Sequence, residues 1–543
     1  MPTKNLRILT FEDRLLHDPS LLTPGTLLWL LRDYQEWLLP DWLFVGWRGE
    51  SKTGRPAWPA RTLMSLLVLR HSESGQTRKG ATERAGNDKT WRAALRLPWE
   101  ETPPKEKSLR EFEAFLQEPH PAVNLPRITV VFEHIVRLCI DAGMIGEAPI
   151  WVIDSTPMWC FGAVQGTVRL LGDGLRRLGR RWARATGSTV EEVAREWNLP
   201  LLLAKSTKGH FQGIDWSDAR VRSEVLAQLV TWVNDCTERV QRNVGEVRQN
   251  KHKPLLRLSR NLLRVVDEDL EATEDGLLRV KRRATSARLI SLTDPEAQHF
   301  RKSKSKVCSG YKLHALGDAV SGLIAALEVT PGGEHDNTQA CPLITRSKAL
   351  YDGIEEVLGD AAYGGMRVRK EVREQAGIEI LAPPARNTRK GDKLGKEDVA
   401  IDFDEMIATC PGGVSTNNWQ LTKRGQDRVP TFYWTKDSAE HCGCRSICPV
   451  HSGRRRHLQL HPEEQEQRRV RGEWQQPDVR ARYRLRAQGE RLMRELTRRG
   501  ARKACGWGLH NARSQATCCA IANNLQLLAR LLAEREHRRR RAS

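Results

Sequence analysis

Apolar residues along this chain follow two rhythms. Through residues 1–125 they recur at mixed spacings of three and four, as in Leu27–Leu39 with Leu28, Leu30, Leu31, Tyr34, Trp37 and Leu38. The same spacing returns in Arg61–Arg70 after Pro59. It lays an apolar stripe along a helix face, so this region is expected to be a set of short helices. Ser108 and Glu111 stand as a capping box for a helix running through Leu116. Ile128–Ile145 reads as one buried helix leading to a short strand at Ile150–Ile153. Helical spacing then resumes from 161 to about 290, with Val221, Val225, Leu229 and Trp232 on one face and Ser188 and Glu191 as a second capping pair.

At residue 307 the rhythm changes to alternation. Tyr311–Asp318 and Leu323–Thr330, joined through Gly322 and closed by Pro331-Gly-Gly333, predict a hairpin. A helix capped by Asp336 follows, then a strand at Val357–Gly359, a helix over Met366–Gln375 stopped by Gly377, and a strand at Ile378–Leu381. That order predicts a mixed α/β core. Residues 385–478 are polar, a basic helix is expected over Val479–Thr497, and Ala516–Ala533 is apolar and helical. The tail with Arg538–Arg541 is expected to be solvated and disordered.

Charge narrows the partner. Lys and Arg number 88 against 67 Asp and Glu, a net of +21 over 543 residues, which favours a polyanion such as nucleic acid. The first residues, Met-Pro-Thr-Lys-Asn-Leu-Arg, lack a signal-peptide pattern, and the expected setting is the cytoplasm, associated with the nucleoid and without a membrane partner. Lys79, Arg84, Lys89, Arg92 and Arg96 lie among the short N-terminal helices, as a helix-turn-helix-like DNA-binding unit would require.

Two carboxylates end short apolar runs in this basic chain: Asp154 closes Ile150-Trp-Val-Ile, and Asp360 closes Val357-Leu-Gly. Metal-assisted phosphoryl transfer uses paired divalent ions held by such groups, although most aspartates after an apolar run are turn formers or caps. A third acid, Glu490, shares an expected helix face with Tyr483 and Arg486, suiting a site for metal and phosphate together; a surface ion pair of Arg486 with Glu490 is the plainer reading. Arg301, Lys302, Lys304, Lys306 and Lys312 concentrate positive charge before and on the hairpin, with Lys302 and Lys312 as backbone-gripping candidates. Cys410, Cys442, Cys444 and Cys448 suit tetrahedral zinc, with His441 or His451 as substitute ligands; reduced structural thiols are the alternative.

In order along the chain stand Ile153-Asp-Ser-Thr-Pro-Met158, Ser291-Leu-Thr-Asp-Pro-Glu296, Arg301-Lys-Ser303, Gly310-Tyr-Lys-Leu-His314, Val329-Thr-Pro331 through His335-Asp336, Leu358-Gly-Asp-Ala-Ala-Tyr-Gly364, and Tyr483-x2-Arg486-x3-Glu490. Taken together they resemble bacterial insertion-sequence transposases of the DDE type, over roughly residues 125–530. Residues 50–117, with Gly54-Arg-Pro56 and Ser108-Leu-Arg-Glu-Phe112, look like that family's N-terminal helical domain. The resemblance implies a ribonuclease H-like fold, Asp154, Asp360 and Glu490 as a catalytic triad holding Mg2+ (or Mn2+), and cleavage of transposon ends followed by joining of the 3′-hydroxyl to target DNA. It implies double-stranded DNA as partner and a homodimer in synapsis. The family's last signature position is a Lys seven residues after the Glu; here it is Thr497, followed by Arg498 and Arg499, with Arg498 as the replacement DNA contact. Rival readings are a nuclease of the same fold without strand transfer and an inactive DNA-binding derivative.

The expected layout is therefore a helical DNA-binding region at 1–125, a catalytic core assembled from 126–160, 307–384 and 479–535, a helical insertion at 161–306, a polar cysteine-containing insertion at 385–478, and a basic tail at 536–543.

Overall fold

A computed structural model describes residues 16, 18–47, 57–282, 288–303, 305–384, 394–436, 444, 447–450 and 456–542. The chain divides into two compact units. The first holds Met1–Pro149, Asp154–His335 and Arg491–Ser543; the second holds Ile150–Ile153 and Asp336–Glu490. The architecture is mixed α/β, with a mixed sheet and a helical N-terminal region.

In the first unit the N-terminal helices Leu27–Asp33, Ala60–Arg70, Arg78–Asn87, Lys89–Ala94, Glu106–Gln117 and Arg127–Asp141 bury the stripe read from the sequence. The Ser108 capping box is not formed: the helix starts earlier, at Glu106, after Lys105, whose side chain makes no capping bond. In the later insertion the box uses Thr189 and Glu192, one residue beyond the expected pair. Helices Thr167–Thr186, Ala219–Asn243 and Gln249–Asp269 enclose a leucine- and tryptophan-rich core. A ribbon of β2 (Leu270–Ala272) and β3 (Leu278–Val280) follows.

The strands of the first unit centre on β5 (Val307–Asp318). It pairs antiparallel with β4 (Gln298–Arg301) and with β6 (Ile324–Pro331), the latter through Tyr311↔Pro331 to Leu316↔Ala326 before a bulge at Gly317. The hairpin matches the alternation; β4 does not, because Gln298-His-Phe-Arg is too short to show a period. β1 (Trp151–Trp159) lies beside β5. Gly310, at φ +143, permits that approach, since a Cβ there would fall 2.4 Å from Cys160 N and Met158 O.

Helix Leu509–Ala542 packs on Arg127–Asp141 and on β6. Its buried Asn524 both donates to Ile324 O at 2.8 Å and accepts from Ile324 N at 3.1 Å, serving strand backbone that would otherwise be buried unpaired. By length and composition this helix could cross a membrane, but 67% of its apolar window is buried within the protein. It continues without a break through Arg538–Arg541, so the tail expected to be disordered is helical to Ala542.

In the second unit the start of β1 runs parallel to β7 (Glu356–Leu358), in the register Val152↔Leu358, and β7 runs parallel to β8 (Glu379–Leu381). Helices Ala340–Leu350 and Met366–Ala376 pack together, the second ended by Gly377 at φ +66. The polar stretch folds as two three-stranded sheets: β9 (Ala400–Asp402), β10 (Ile407–Thr409) and β11 (Ser415–Thr416), then β12 (Trp419–Arg424), β13 (Asp427–Tyr433) and β14 (His457–Gln459).

Candidate active site

The loop after β7 is built so that Asp360 faces outward while its neighbours lock. Gly359 N donates to Leu381 O at 3.0 Å, extending the β7–β8 pairing by one residue. Asp360 then caps the short turn Ala361–Tyr363, its Oδ1 accepting from Ala362 N at 2.8 Å. Tyr363 is fully buried, and Gly364 passes so close to Pro383 that a Cβ would meet its carbonyl oxygen at 2.2 Å. Buried Arg369 ties the turn down, donating to Gly364 O at 3.2 Å, to Ala382 O at 2.6 Å and to Ile380 O. Asp360 is left half-buried, with one carboxylate oxygen engaged by its own turn.

The register Val152↔Leu358 gives the other strand the same count: Asp154 is the second residue after Val152, as Asp360 is the second after Leu358. Asp154 is half-buried, and its Oδ1 accepts from Ser155 N at 2.9 Å.

Glu490 reaches its place differently from the sequence expectation. The segment 479–497 is not one helix but α-helix Pro477–Arg484, a tighter 3-10 stretch Leu485–Gly489, and α-helix Glu490–Leu496. Three residues per turn in the middle stretch rotate the side chains away from the single α-helical face expected for Tyr483, Arg486 and Glu490. The cause of the break is visible at Gly489. A Cβ there would fall 2.4 Å from Val152 Cγ1, so the chain rests directly on β1. The glycine that weakens helix propensity is thus a contact requirement, and it puts Glu490 immediately after a residue seated on Val152. Glu490 is exposed.

Among the described residues, no group of three or more His, Cys, Asp or Glu side chains stands close enough to hold one metal ion. Magnesium nevertheless takes few protein ligands, commonly one or two carboxylates with water and substrate oxygens completing its shell. Half-exposed aspartates at strand ends are hard-oxygen donors of that kind.

Residues 283–525 match the family model described as the transposase DDE domain. That segment, a little under half of the chain, is similar to the transposase DDE domain. The matched segment includes Asp360 and Glu490, while Asp154 precedes it. No curated protein and no solved structure matches the chain. Transposases of this type use divalent metal ions and act on DNA, which accords with the acids above and with the basic composition.

Within the matched segment, the motif Ser291–Glu296 is scaffold. Asp294 is fully buried and accepts from the Tyr311 hydroxyl and from Gly508 N at 2.9 Å; Glu296 accepts from Leu509 N at 2.8 Å. Together they cap the N-terminus of the long C-terminal helix. Burial and the Asp294 hydrogen bond raise the Tyr311 pKa well above the ordinary phenol value.

The expected DNA-gripping cations divide. Lys302 is exposed in the β4–β5 turn, and Lys304 lies outside the described residues. Lys312 is half-buried, donates to Glu334 O at 2.7 Å and sits 5.5 Å from the Phe300 ring centre, so it braces the hairpin. Tyr483 stacks edge-on against Trp474 at 4.8 Å, and Arg486 is half-buried. Arg498 is exposed and paired with Glu495 at 2.7 Å, whereas Arg499 is buried and donates to Ser72 O at 3.1 Å. Arg92, expected on a DNA-facing helix, is also buried, its guanidinium bonded to the carbonyls of Gly86, Trp99 and Glu101, and it holds the N-terminal helices together. Arg84 lies over the Trp91 ring and pairs with Asp88, while Lys79 and Lys89 remain exposed.

Cys410, Cys444 and Cys448 belong to one small apolar cluster with Val399, Phe432, Trp434 and Leu458. Cys410 opens a tight turn in which Gly413, at φ +82, donates to Cys410 O at 2.8 Å; Cys448 N donates to Cys444 O at the same distance. Cys442, His441 and His451 lie outside the described residues.

Proposed function

We propose that the protein cleaves transposon ends and joins the freed 3′-hydroxyls to target DNA, with Asp154, Asp360 and Glu490 as the acids that hold Mg2+ or Mn2+. The observation carrying this reading is the common anchor of the three. Val152 pairs with Leu358 and also receives Gly489. Each acid follows one of these residues by one or two positions.

When bound, a divalent pair would sharpen the attacking oxygen and neutralise the leaving one. The chain's own part is positional. The Asp360 turn, held by Arg369 and Tyr363, keeps its carboxylate fixed at the strand end before substrate arrives. The hydrogen bond from Ala362 N orients that carboxylate. Arg486 supplies a guanidinium suited to two phosphate oxygens.

The test is an assay of end cleavage and strand joining with Mg2+ on DNA carrying the element's terminal repeats. Asp154→Asn, Asp360→Asn and Glu490→Gln should each abolish both steps. Full cleavage by any of them would remove that residue from the site. Cleavage without joining by the wild-type protein would favour a nuclease of the same fold, and DNA binding without cleavage would favour a derivative that only binds.

The cysteine cluster we read as a structural zinc site completed by Cys442. The two backbone turns at Cys410 and Cys444 and the shared small core support it, although Cys410, Cys444 and Cys448 do not by themselves stand close enough to hold one ion. Four thiolates would hold the ion tetrahedrally and stabilise the insertion rather than take part in chemistry. Metal analysis of the purified protein should find about one equivalent of zinc, the content of a single such site; its absence refutes this part alone. The dimer expected for synapsis is likewise a proposal, tested by the mass of the protein–DNA complex.

A further inference from the structure

The first unit contains a cationic pocket that the catalytic reading does not use. It has a volume of about 250 Å³ and is lined by Arg491, Arg498, Arg499 and Arg530, with Gly322 and Asn523 on its wall. Four guanidiniums face one carboxylate, Glu495, which Arg498 already engages. Arg491 and Arg530 have no ion-pair or side-chain hydrogen-bond partner among the described residues.

The backbone is shaped for this gathering of charge. Gly322 stands at φ +83, and a Cβ there would come within 3.1 Å of Arg491 Nη2, so a side chain would crowd the guanidinium. Arg499 enters from beneath, 4% exposed, anchored by its bond to Ser72 O. The neighbouring turn Thr497–Ala501 is a wide π-type turn with Gly500 at φ +111, which lets Arg498 and Arg499 both line the pocket. Burial, Arg498 and Arg530 all act to lower the pKa of Arg499. Like charges held this close repel unless an anion is shared among them.

We propose that this pocket binds a phosphate group of the DNA backbone. Guanidiniums are the side chains best matched to phosphate, through paired N–H donors, and the cavity is large enough for one phosphate with its flanking sugar oxygens. The inference rests on DNA being the substrate.

The experiment uses full-length protein in EDTA, so that binding is read without catalysis. Affinity for a fluorescent 30-bp duplex, a length of our choosing, is measured over a range of salt for wild type, for Arg491→Gln/Arg530→Gln, and for Arg494→Gln, an exposed arginine of the same helix outside the pocket. One lost phosphate contact should flatten the plot of log affinity against log salt by about one and weaken binding about tenfold at moderate salt. The Arg494 variant should stay near wild type. Equal slopes and affinities in all three would overturn the proposal. A parallel melting experiment with millimolar inorganic phosphate separates the sources: stabilisation lost in the double variant while its DNA slope stays intact would assign the pocket to free phosphate and overturn the DNA assignment. Because metal is absent, these results stand whether or not the three acids prove catalytic.

Discussion

Two aspartates of the segment similar to the transposase DDE domain look alike along the chain and behave oppositely in the fold. Asp294, in Ser291–Glu296, is sealed from solvent and bonded to Tyr311 and Gly508. Asp360, in Leu358–Gly364, is half-exposed, with one carboxylate oxygen held by its own turn. A buried acid with donors on it is a joint; an open acid on a rigid turn is free to meet a partner from outside the fold. Motif membership alone does not separate the two. What separates them is whether the residues around the acid point their donors at it or at one another, as Arg369 does with the carbonyls of Gly364, Ile380 and Ala382.

The sharpest test of the contrast replaces each acid. Asp360→Asn should lower the rate of end cleavage by roughly 10²–10³-fold or more, with a melting temperature near wild type. Asp294→Ala should instead cost roughly 3 kcal/mol of stability, because the Tyr311 hydroxyl and Gly508 N–H would be buried without a partner, and denaturant titration would show it. If Asp294→Ala kept its stability and lost only cleavage, the division would fail.

Acid titration probes the scaffold side. His71 is buried, and burial followed by Arg70 and Arg78 lowers its pKa to about 3. The unfolded chain takes up a proton near pH 6.5 while the native state does not, so stability should fall as pH drops from about 6.5 toward about 3, by at most about 1.4 kcal/mol per pH unit. His71→Gln should flatten that limb in urea melts taken at successive pH values. The smallest expected effect is at Gly489→Ala. Its Cβ would collide with Val152, so the chain carrying Glu490 must shift from Val152; if Glu490 is one of the acids, cleavage should drop roughly ten- to a hundredfold, as for a misplacement of up to about 1 Å, and the clash should also lower the melting temperature.

Much of the scaffold was legible because burial imposes a period. The N-terminal helices, the β5–β6 hairpin and the ends of β7 and β8 all follow the spacing of apolar residues, and Gly377 marks a helix stop by adopting the left-handed conformation. The strands of 400–459 were missed because β12 is mostly exposed, so its alternation carries little apolar contrast. Gly425 at φ +64, between Arg424 and Asp427, was the turn signal that could have revealed β12 and β13.

From the sequence alone came the class of fold, the acids at strand ends, the cationic excess and the family resemblance, since each depends on local spacing or composition. Only the tertiary structure decided which charged residues are structural. Arg92 and Lys312 read as free cations in sequence, yet each donates to backbone carbonyls brought near by distant segments or neighbouring turns, and Arg499 is anchored by one such bond to Ser72 O. It also decided why the helix before Glu490 breaks: Gly489 must touch Val152, a residue 337 positions earlier (489 − 152). Contacts of that range are set by packing, and no periodicity in a single segment records them.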